Sequence, residues 1–549
     1  MALRNPHYPL PVTWPLPKNV HWTISSSSVH LNVASNVVRK TLRNIGESST
    51  LVISILLLSL IGCTNKESQK INILFLMDDQ HRGDCIGADG ADWIQTPNLD
   101  KLAAEGAIFT RAYSSTPSCL PARTALLIGK SPWAHGVLLY APMAESYLNE
   151  KPRIFTDAGY RTHAVGKNHF NSHPHGYQTI VLEEAWRTPH DSTFKCDFRT
   201  WFEENHPDKD VDATGLGYTD HRGNRPFLYD DNLHPTNWTA DKAIEFLGTY
   251  KGEQPWFLKV SFKRPHPPFD PPERLLKHYL EQDLPLAQVS SWASEEFGEF
   301  KGSVEDTPNA PRGHYSTIDI HNARAAYYAS ITHVDEQIGR IIEALRQRGE
   351  LENTLILFTS DHGDMMGDQH MWRKTYAYEG SSRIPMIIRW PEVLFDDKNI
   401  KRGQSIKNPV ELRDVLPTFL GAAGLQKPQE MDGMNMLELI QGDKSAWRKI
   451  LDLEHGTCYW KENAWVCLTD GTYKYIYFTI TGEQQLFDLG NDPHELIDLA
   501  EDPANSALVN TWRDHMIMHL SVRGEPWVKD GDLAIQESSI IYGPNHPVE

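Results

Sequence analysis

Residues 71 to 79 of the chain read INILFLMDD, a continuous apolar run of strand length that ends in Asp78 and Asp79. An uninterrupted apolar run is typical of a strand buried on both faces, as in a parallel sheet covered by helices. Ligands of such sheets bind outside the carboxyl ends of the strands. Two adjacent carboxylates there would need a cation, and oxygen ligands favour calcium or magnesium. A turn or a helix N-terminus is the alternative explanation of the pair.

Two later apolar runs of strand length also lead into polar side chains. Residues 256 to 262, WFLKVSF, precede a Pro-rich loop that contains His266. Residues 354 to 359, TLILFT, precede Asp361 and His362. Prolines on both sides of a histidine fix its loop, as a positioned proton donor requires. We therefore predict an α/β fold, with a large, mixed but mostly parallel sheet sandwiched by helices.

A fourth stretch, SCLPARTALLIGK at residues 118 to 130, contains a cysteine, a proline and an arginine at close spacing. Pro121 suits the first turn of a helix, where its missing N–H costs nothing. Cys119 would then lie at the positive end of the helix, which lowers the pKa of a thiol. Arg123 is four residues later and shares its face. Lys130 would lie about 16 Å along the helix axis, so we interpret it as structural.

The Cys-x-Pro-x-Arg core of this stretch resembles the signature of the type I, formylglycine-dependent sulfatases of the alkaline phosphatase superfamily. In that family a maturation enzyme oxidises the cysteine to an aldehyde. The extended pattern differs here, because Ala122 and Ile128 replace the family's usual Ser and Thr. Lys167 and His169 resemble the family's Gly-Lys-x-His element, and Lys374 precedes a Tyr-Glu-Gly segment as in the family.

The resemblance implies one divalent cation, Ca²⁺ or Mg²⁺, and a 3-oxoalanine (formylglycine) made from Cys119. The implied metal ligands are Asp78, Asp79, Asp361, His362 and the modified Cys119. The implied catalytic groups are Cys119, Arg123, Lys167, His169, His266 and Lys374, with His266 protonating the departing alcohol. Near these motifs, candidates for a substrate-binding rim are His173, His175, Arg264, His370, Trp372 and Arg373.

The composition limits the partners. The 549 residues carry a formal net charge of −19, which argues against nucleic acid and against a polybasic membrane patch. An anionic substrate would therefore need a local cationic pocket, which Arg123, Lys167 and Lys374 would supply.

The N-terminal region carries an export signal. Residues 51 to 62, LVISILLLSLIG, are too short for an ordinary spanning helix and follow Lys40 and Arg43. The ending before Cys63 resembles a bacterial lipobox; a cleaved soluble signal or a membrane anchor is the alternative. We expect residues 1–63 to be a non-catalytic extension with a lipoprotein-type signal peptide. The mature protein would be exported to the periplasm or outer membrane, touching the membrane only through a lipid on Cys63.

We expect a catalytic domain at residues 71–444 and a C-terminal α+β subdomain at 445–549. Short runs separated by Asp-Gly and Thr-Gly turns predict hairpins of a small antiparallel sheet after about residue 445. Cys458 and Cys467 could pair across a hairpin or remain buried free thiols.

The resemblance as a whole is to bacterial polysaccharide-degrading sulfatase lipoproteins. It implies hydrolysis of sulfate esters of a sulfated carbohydrate, after maturation by a formylglycine-generating enzyme or an anaerobic sulfatase maturase. A phosphonate or phosphate ester hydrolase of the same superfamily is the alternative among enzymes. A non-catalytic, glycan-binding surface lipoprotein is the alternative of another class.

Overall fold

The computed structural model describes residues 70–169, 174–184, 194, 196–217, 223–293, 311–395 and 399–547. The predictions for residues 1–63, including the lipid on Cys63, lie outside these ranges, and so does His173. Among the described helices, none combines the length and the apolar character that crossing a bilayer requires.

The first strand, Asn72–Asp79, is buried along its whole length. Phe75 and Met77 belong to a hydrophobic cluster on one face of the sheet, and Leu74 and Leu76 to a cluster on the other. Burial of each such side chain contributes roughly 1.5–3 kcal/mol. The apolar run is continuous because both faces of this strand are covered.

The strands of the described chain follow in order. They are β1 (Asn72–Asp79), β2 (Ala107–Phe109), β3 (Ala112–Tyr113), β4 (Arg161–Gly166), β5 (Thr179–Leu182), β6 (Trp256–Pro265), β7 (Thr354–Ser360), β8 (Arg383–Ile384), β9 (Met386–Arg389), β10 (Gln404–Ile406), β11 (Val410–Glu411), β12 (Leu451–His455), β13 (Trp465–Thr469), β14 (Tyr473–Phe478), β15 (Gln484–Asp488), β16 (Val528–Lys529) and β17 (Asp532–Leu533).

Eight of these strands form the large sheet, in the order β10-β2-β9-β7-β1-β6-β4-β5. Neighbouring strands are parallel except where β9 runs antiparallel to β2 and β7. Strands β11, β3 and β8 form a separate three-stranded sheet. The predicted mixed, mostly parallel α/β sheet is thus confirmed.

Helices cover both faces of the large sheet. The helices of the described residues are α1 (Pro97–Ala104), α2 (Cys119–Ile128), α3 (Pro132–His135), α4 (Lys151–Asp157), α5 (Asp197–Asn205), α6 (Pro235–Thr249), α7 (Glu273–Leu280), α8 (Thr317–Gln347), α9 (Glu379–Ser382), α10 (Val415–Ala422), α11 (Met436–Ile440) and α12 (Ser506–Ser521). Apolar residues of α1, α6 and α8 pack on one face of the sheet, and those of α2, α4 and α10 on the other.

The C-terminal part contains a second sheet, antiparallel throughout, in the order β12-β13-β14-β15. Helix α12 packs on one face of it through Trp512 and Met516. Cys467 and Ile476, on the opposite face, share a cluster with Tyr376 from the segment after the large sheet's β7. The predicted small antiparallel sheet is confirmed, and it includes an edge strand, β12, that the hairpin signals did not indicate.

Lys474 of β14 links the two sheets. Its ammonium lies 2.6 Å from Glu379 Oε1 and 2.9 Å from Glu495 Oε1, and it donates to the carbonyl of Ala377. Burial alone would lower the pKa of Lys474, but the two carboxylates raise it well above its ordinary value. The lysine is therefore charged and fully paired in the interior.

Cys458 and Cys467 are both free thiols, as are Cys85 and Cys196. Of the two arrangements that the sequence left open, the structure has the unpaired one. Cys467 is buried in β13 opposite Ile476 of β14.

Candidate active site

The ends of four adjacent strands, β7, β1, β6 and β4, meet at one edge of the large sheet. Asp79 ends β1, while Asp361 and Lys167 directly follow β7 and β4. Because these strands are parallel, their carboxyl ends lie together. Helix α2 begins at Cys119 and brings its thiol to the same place.

Four buried side chains converge there and could hold a metal ion. One ligand atom each from Asp79, Cys119, Asp361 and His362 lies within 4.8 Å of all the others. His362 Nε2 is 3.2 Å from Cys119 Sγ and 3.6 Å from Asp361 Oδ1. His362 Nδ1 faces the carbonyl of Gly363 at 2.9 Å, which makes Nδ1 the protonated nitrogen and leaves Nε2 for the cluster. Two carboxylates, an imidazole and residue 119 are a donor set that fits a divalent cation.

Asp78 is not one of the four converging residues. Its Oδ2 lies 2.6 Å from His81 Nδ1, and burial raises the pKa of this carboxyl. Its other oxygen, Oδ1, is buried and has no hydrogen-bond partner among the described residues. A bound cation would give this oxygen a partner. A role of Asp78 as a metal ligand therefore stays a prediction.

Arg123 does not point into open space where a substrate could bind. Its Nε donates to Asp361 Oδ2 at 2.9 Å and its Nη2 to Asp79 Oδ2 at 2.8 Å. Its Nη1 donates to the carbonyl of Lys167 and to Ser261 Oγ. The guanidinium is fully used in holding two buried carboxylates apart. A direct contact of Arg123 with the substrate stays a prediction, because the hydrogen bonds of its guanidinium in this structure go to protein groups.

Two lysines flank the thiol of Cys119. Lys374 Nζ lies 3.2 Å from Cys119 Sγ, and Lys167 Nζ lies 2.7 Å from Asp79 Oδ2. Burial and Asp79 oppose ionisation of Cys119, but Lys374, Lys167 and His362 outweigh them and lower the pKa of the thiol. Burial would lower the pKa of Lys167, yet Asp79 raises it well above its ordinary value. The lowered pKa shows that the surroundings of Cys119 stabilise negative charge, and the raised pKa of Lys167 shows that its ammonium stays positive.

His266 lies in the loop that follows β6 and is half-buried. Its Nδ1 faces the carbonyl of Pro267 at 3.0 Å, and a carbonyl can only accept, so this nitrogen carries a proton. Nε2 is then the atom that can gain or lose the second proton. The positive form of His266 is close enough to Asp79 to help lower the pKa of that carboxyl, after Lys167 and despite burial.

His169 is held by a residue that the sequence did not reveal. Glu184 Oε1 accepts the backbone N–H groups of Asn168 and His169 at 2.6 and 2.7 Å. His169 has a φ of 56°, a region that non-glycine residues rarely adopt. Burial, followed by the positive charges of Lys167 and Arg123, lowers the pKa of His169 well below its ordinary value. The imidazole is therefore neutral.

Three of the candidate rim residues lie in the interior instead. His175 Nδ1 faces buried Glu150 at 2.7 Å, Arg264 forms a buried ion pair with Asp270, and Trp372 is fully buried in an apolar cluster. Each was predicted from its nearness in sequence to a motif, but His175 and Arg264 are held in the interior by a buried carboxylate and Trp372 by the apolar core.

His370 and Arg373 are half-buried and remain at the surface. The ring of His370 is 3.7 Å from that of His314, and the guanidinium of Arg373 lies 4.8 Å from the centre of the Tyr459 ring. Among the described residues, these contacts form an aromatic and cationic patch beside Lys374.

Gln80, which follows the aspartate pair, was missed. It is fully buried with a φ of 73°. Its amide accepts from Lys374 Nζ at 3.0 Å and donates to Asp364 Oδ2 at 2.6 Å. Gln80 thus holds the ammonium of Lys374 beside the thiol. No periodicity or spacing rule would have singled it out.

Tyr140 was also missed. It is 45% exposed, and its pKa is raised by desolvation and then by the negative charges of Cys119 and Asp79. Nothing in the sequence around residue 140 resembles a motif.

Two family models match the chain. The model described as "Sulfatase" matches residues 71–425, and the model described as "N-sulphoglucosamine sulphohydrolase, C-terminal" matches residues 367–521. An arylsulfatase of Clostridium perfringens is 37% identical over 477 residues, which cover 84% of this chain and 97% of that protein. An ulvan-active sulfatase of Formosa agariphila is 29% identical and covers 90% of this chain and 91% of its own length.

Among solved structures, the phosphonate monoester hydrolase of Agrobacterium radiobacter superimposes with a TM-score of 0.69. It is 25% identical, and the match covers 83% of this chain and 96% of that one.

Proposed function

Because the chain belongs to the sulfatase family and is a sulfatase enzyme, we propose that it uses formylglycine made from Cys119 and one divalent cation to hydrolyse the sulfate esters of a carbohydrate. The observation that carries this proposal is the position of Cys119. Its sulfur lies 3.2 Å from both Lys374 Nζ and His362 Nε2, inside a four-residue cluster that fits a metal.

Charge explains why an anionic ester would enter a protein with a strongly negative net charge. Arg123 and Lys167 pair with the buried carboxylates Asp79 and Asp361, and Lys374 lies beside Cys119. The pocket is therefore electropositive locally, before any cation binds. A sulfate group gains more from these fixed cations in a desolvated site than it would in water.

The bound cation would be held by Asp79, Asp361, His362 and residue 119, and it would polarise a sulfate oxygen, while hydrated formylglycine would provide a hydroxyl nucleophile. Lys374 and Lys167 would stabilise the charge that grows on the sulfate oxygens. His266, with Nδ1 held by Pro267, would deliver a proton from Nε2 to the departing alcohol oxygen. Arg123 would hold Asp79 and Asp361 in place through its hydrogen bonds to both carboxylates.

The test is turnover of an aryl sulfate by protein produced with a sulfatase maturase. Mass spectrometry of the Cys119 peptide measures its conversion to the aldehyde, and turnover should rise in proportion. Removal of divalent ions with a chelator should abolish turnover, and adding back Ca²⁺ or Mg²⁺ should restore it. Full activity with unconverted Cys119 would refute the formylglycine part of the proposal.

A sulfated carbohydrate is the proposed substrate class. The ulvan-active relative supports it, because the match covers almost all of both chains. The patch of His314, His370, Arg373 and Tyr459 beside Lys374 supports it too, since rings and a guanidinium suit a sugar that carries anionic groups. Defined sulfated oligosaccharides should be turned over with a higher kcat/KM than aryl sulfates. Activity confined to small aryl esters would exclude the carbohydrate.

Hydrolysis of a phosphonate or phosphate ester is the second candidate, favoured by the structural likeness to a phosphonate monoester hydrolase. Relative kcat/KM values for an aryl sulfate, a phosphonate monoester and a phosphate diester decide between them. A preference for the phosphorus esters would make the second candidate the primary function.

Export and anchoring at Cys63 are also part of the proposal, supported by the lipobox-like sequence before that cysteine. Intact mass of the protein from its native host should show a lipid-modified N-terminal Cys63. Retention of residues 1–62 would exclude it.

A further inference from the structure

His455 connects the C-terminal sheet to the residue before Cys119. It is buried at the end of β12, and its Nε2 lies 2.9 Å from Ser118 Oγ. The preceding residue, Glu454, donates its backbone N–H to the carbonyl of Ser115 at 2.8 Å. The edge strand of the small sheet therefore holds the loop that leads into α2.

The tautomer of His455 fixes which group donates in its hydrogen bond to Ser118. Nδ1 lies 2.6 Å from the carbonyl of Gly456, which only accepts, so Nδ1 carries the proton of the neutral ring. Burial lowers the pKa of His455 to about 4, so the ring is neutral near pH 7. Nε2 is then an acceptor, and the Ser118 hydroxyl must donate to it.

Ser118 is consequently fixed at three points. Its backbone N–H donates to Thr116 O at 2.6 Å, its carbonyl accepts from Ala122 N at 3.1 Å, and its hydroxyl donates to His455. Ser118 is the N-cap residue of α2, yet its side chain makes no capping hydrogen bond. The hydroxyl of Ser118 therefore contacts the small sheet instead of capping the helix. Cys119 is the next residue in the chain.

The same sheet also fixes the segment that carries Lys374. Thr375 has a φ of 82°, which is strained for a β-branched residue and costs about 1–3 kcal/mol. Trp465 Nε1 donates to its carbonyl at 2.9 Å, and Asn463 Nδ2 donates to its Oγ1 at 3.1 Å. Its own N–H donates to Pro117 O at 2.9 Å. The nucleophile loop and the lysine loop are thus held against each other and against the small sheet.

We propose that His455 is a positioning residue of the sulfatase reaction: through Ser118 it sets where the side chain of residue 119 points relative to Lys374 and His362. The inference rests on the proposed function, because its kinetic consequence appears in sulfate ester turnover. His455 is not one of the four residues of the metal cluster.

The first test compares His455→Ala with His455→Gln, each rate being normalised to the formylglycine content measured by mass. Misplacing a reacting group by about 1 Å can cost ~10²-fold in rate, so His455→Ala should lower kcat at least tenfold and change KM much less. Glutamine retains an acceptor for the Ser118 hydroxyl and should recover most of the loss. Equal kcat in wild type and His455→Ala would overturn the proposal.

A chemical rescue provides the second test. A cavity of about 200 Å³ borders His455, with Leu138, Trp465, Trp527 and Ile540 among its lining residues. Truncation of His455 to alanine enlarges this space by an imidazole ring. Added imidazole should therefore restore turnover to His455→Ala, but not to the double variant His455→Ala with Ser118→Ala. Rescue that ignores Ser118, or no rescue at all, would contradict the assigned hydrogen bond.

A third measurement does not depend on the activity. Hydrogen exchange at the amide of Ala122, which bonds to the carbonyl of Ser118, should be faster in His455→Ala and near the wild-type rate in His455→Gln. Unchanged exchange in His455→Ala overturns the positioning role. If wild type fails to hydrolyse any sulfate ester, the proposed function fails, while the exchange measurement still tests the structural step.

Discussion

The two sheets contribute to the site in different ways. The large sheet delivers charged groups, Asp79, Asp361 and Lys167, from the ends of adjacent parallel strands. The small sheet delivers neutral hydrogen bonds from His455, Trp465 and Asn463, which hold the loops around Cys119 and Lys374. One sheet thus supplies the reacting and charged groups, and the other supplies their placement. Changes in the first should affect the reaction itself, and changes in the second should affect stability or geometry.

The largest effect is expected at the nucleophile. Cys119→Ala should abolish turnover and leave the fold intact, because alanine fills the same buried place but cannot be converted to an aldehyde. Cys119→Ser should behave likewise unless the maturase accepts serine. The measurements are steady-state rates and thermal midpoints, with Cys196→Ala as a control, since that buried thiol lies elsewhere. Wild-type rates in Cys119→Ala would remove residue 119 from the chemistry.

Arg123→Met should weaken both activity and stability. It removes the cation that separates two fully buried carboxylates, and breaking a buried pair in this way costs about 3–5 kcal/mol. Chemical denaturation of the metal-free protein measures the loss. Arg340→Met is the matched control, because Arg340 pairs with Asp241 at the surface and should cost less than about 1 kcal/mol. An unaltered free energy of unfolding in Arg123→Met would mean that another group neutralises Asp79 and Asp361.

Lys474→Met should lower stability and leave most of the chemistry in place. It leaves the buried carboxylate of Glu495 without its cation, while Glu379 keeps Arg383 as a partner, and the loss of this buried pair costs about 3–5 kcal/mol. The rate per folded molecule should stay within a few-fold of wild type below the melting range. A loss of kcat as severe as that of Arg123→Met, with the protein fully folded, would contradict the division between the two sheets.

Lys151→Met should stabilise the protein. Lys151 Nζ lies over the ring of Phe75, and burial lowers its pKa to about 7. Below pH 7 the charged lysine imposes its full penalty on the folded state. Between pH 7 and its unfolded pKa of about 10.4, the unfolded chain binds more protons, so wild-type stability rises by up to about 1.4 kcal/mol per pH unit.

The advantage of Lys151→Met over wild type should accordingly be greatest at or below pH 7 and shrink toward pH 10. Urea denaturation at several pH values measures this difference. Lys444→Met, at an exposed position, is the control and should show no such trend. A constant difference between Lys151→Met and wild type at all pH values would argue against a perturbed lysine.

Much of the large-sheet half could be predicted from local patterns. The predicted strand at 256 to 262 corresponds to Trp256–Pro265, and that at 354 to 359 to Thr354–Ser360. These strands were recognisable because each is buried on both faces, so the whole run is apolar. The polar residues that follow them are contiguous with the strands, which made Asp361 and His362 visible as candidates.

The remainder depends on partners that are distant in the chain. His455 and Ser118 are 337 residues apart, and no spacing rule joins them. His175 and Trp372 stand next to motifs but face Glu150 and an apolar cluster. Arg123 has the predicted position on α2, but its donors belong to Asp79 and Asp361. The exposure of a side chain and the partners of its hydrogen bonds depend on the tertiary structure. Closeness in sequence to a motif therefore does not predict them.

The buried ammonium of Lys474 also bears on how the protein melts. It joins β14 to Glu379 of α9 and to Glu495, so the small sheet cannot detach without separating the buried Lys474 ammonium from Glu379. Sub-global opening of the C-terminal part is therefore costly, and the two sheets should unfold in one cooperative transition. The sequence pattern changes at the expected boundary between residues 444 and 445. Calorimetry should nevertheless show one unfolding transition for the parts on both sides of it.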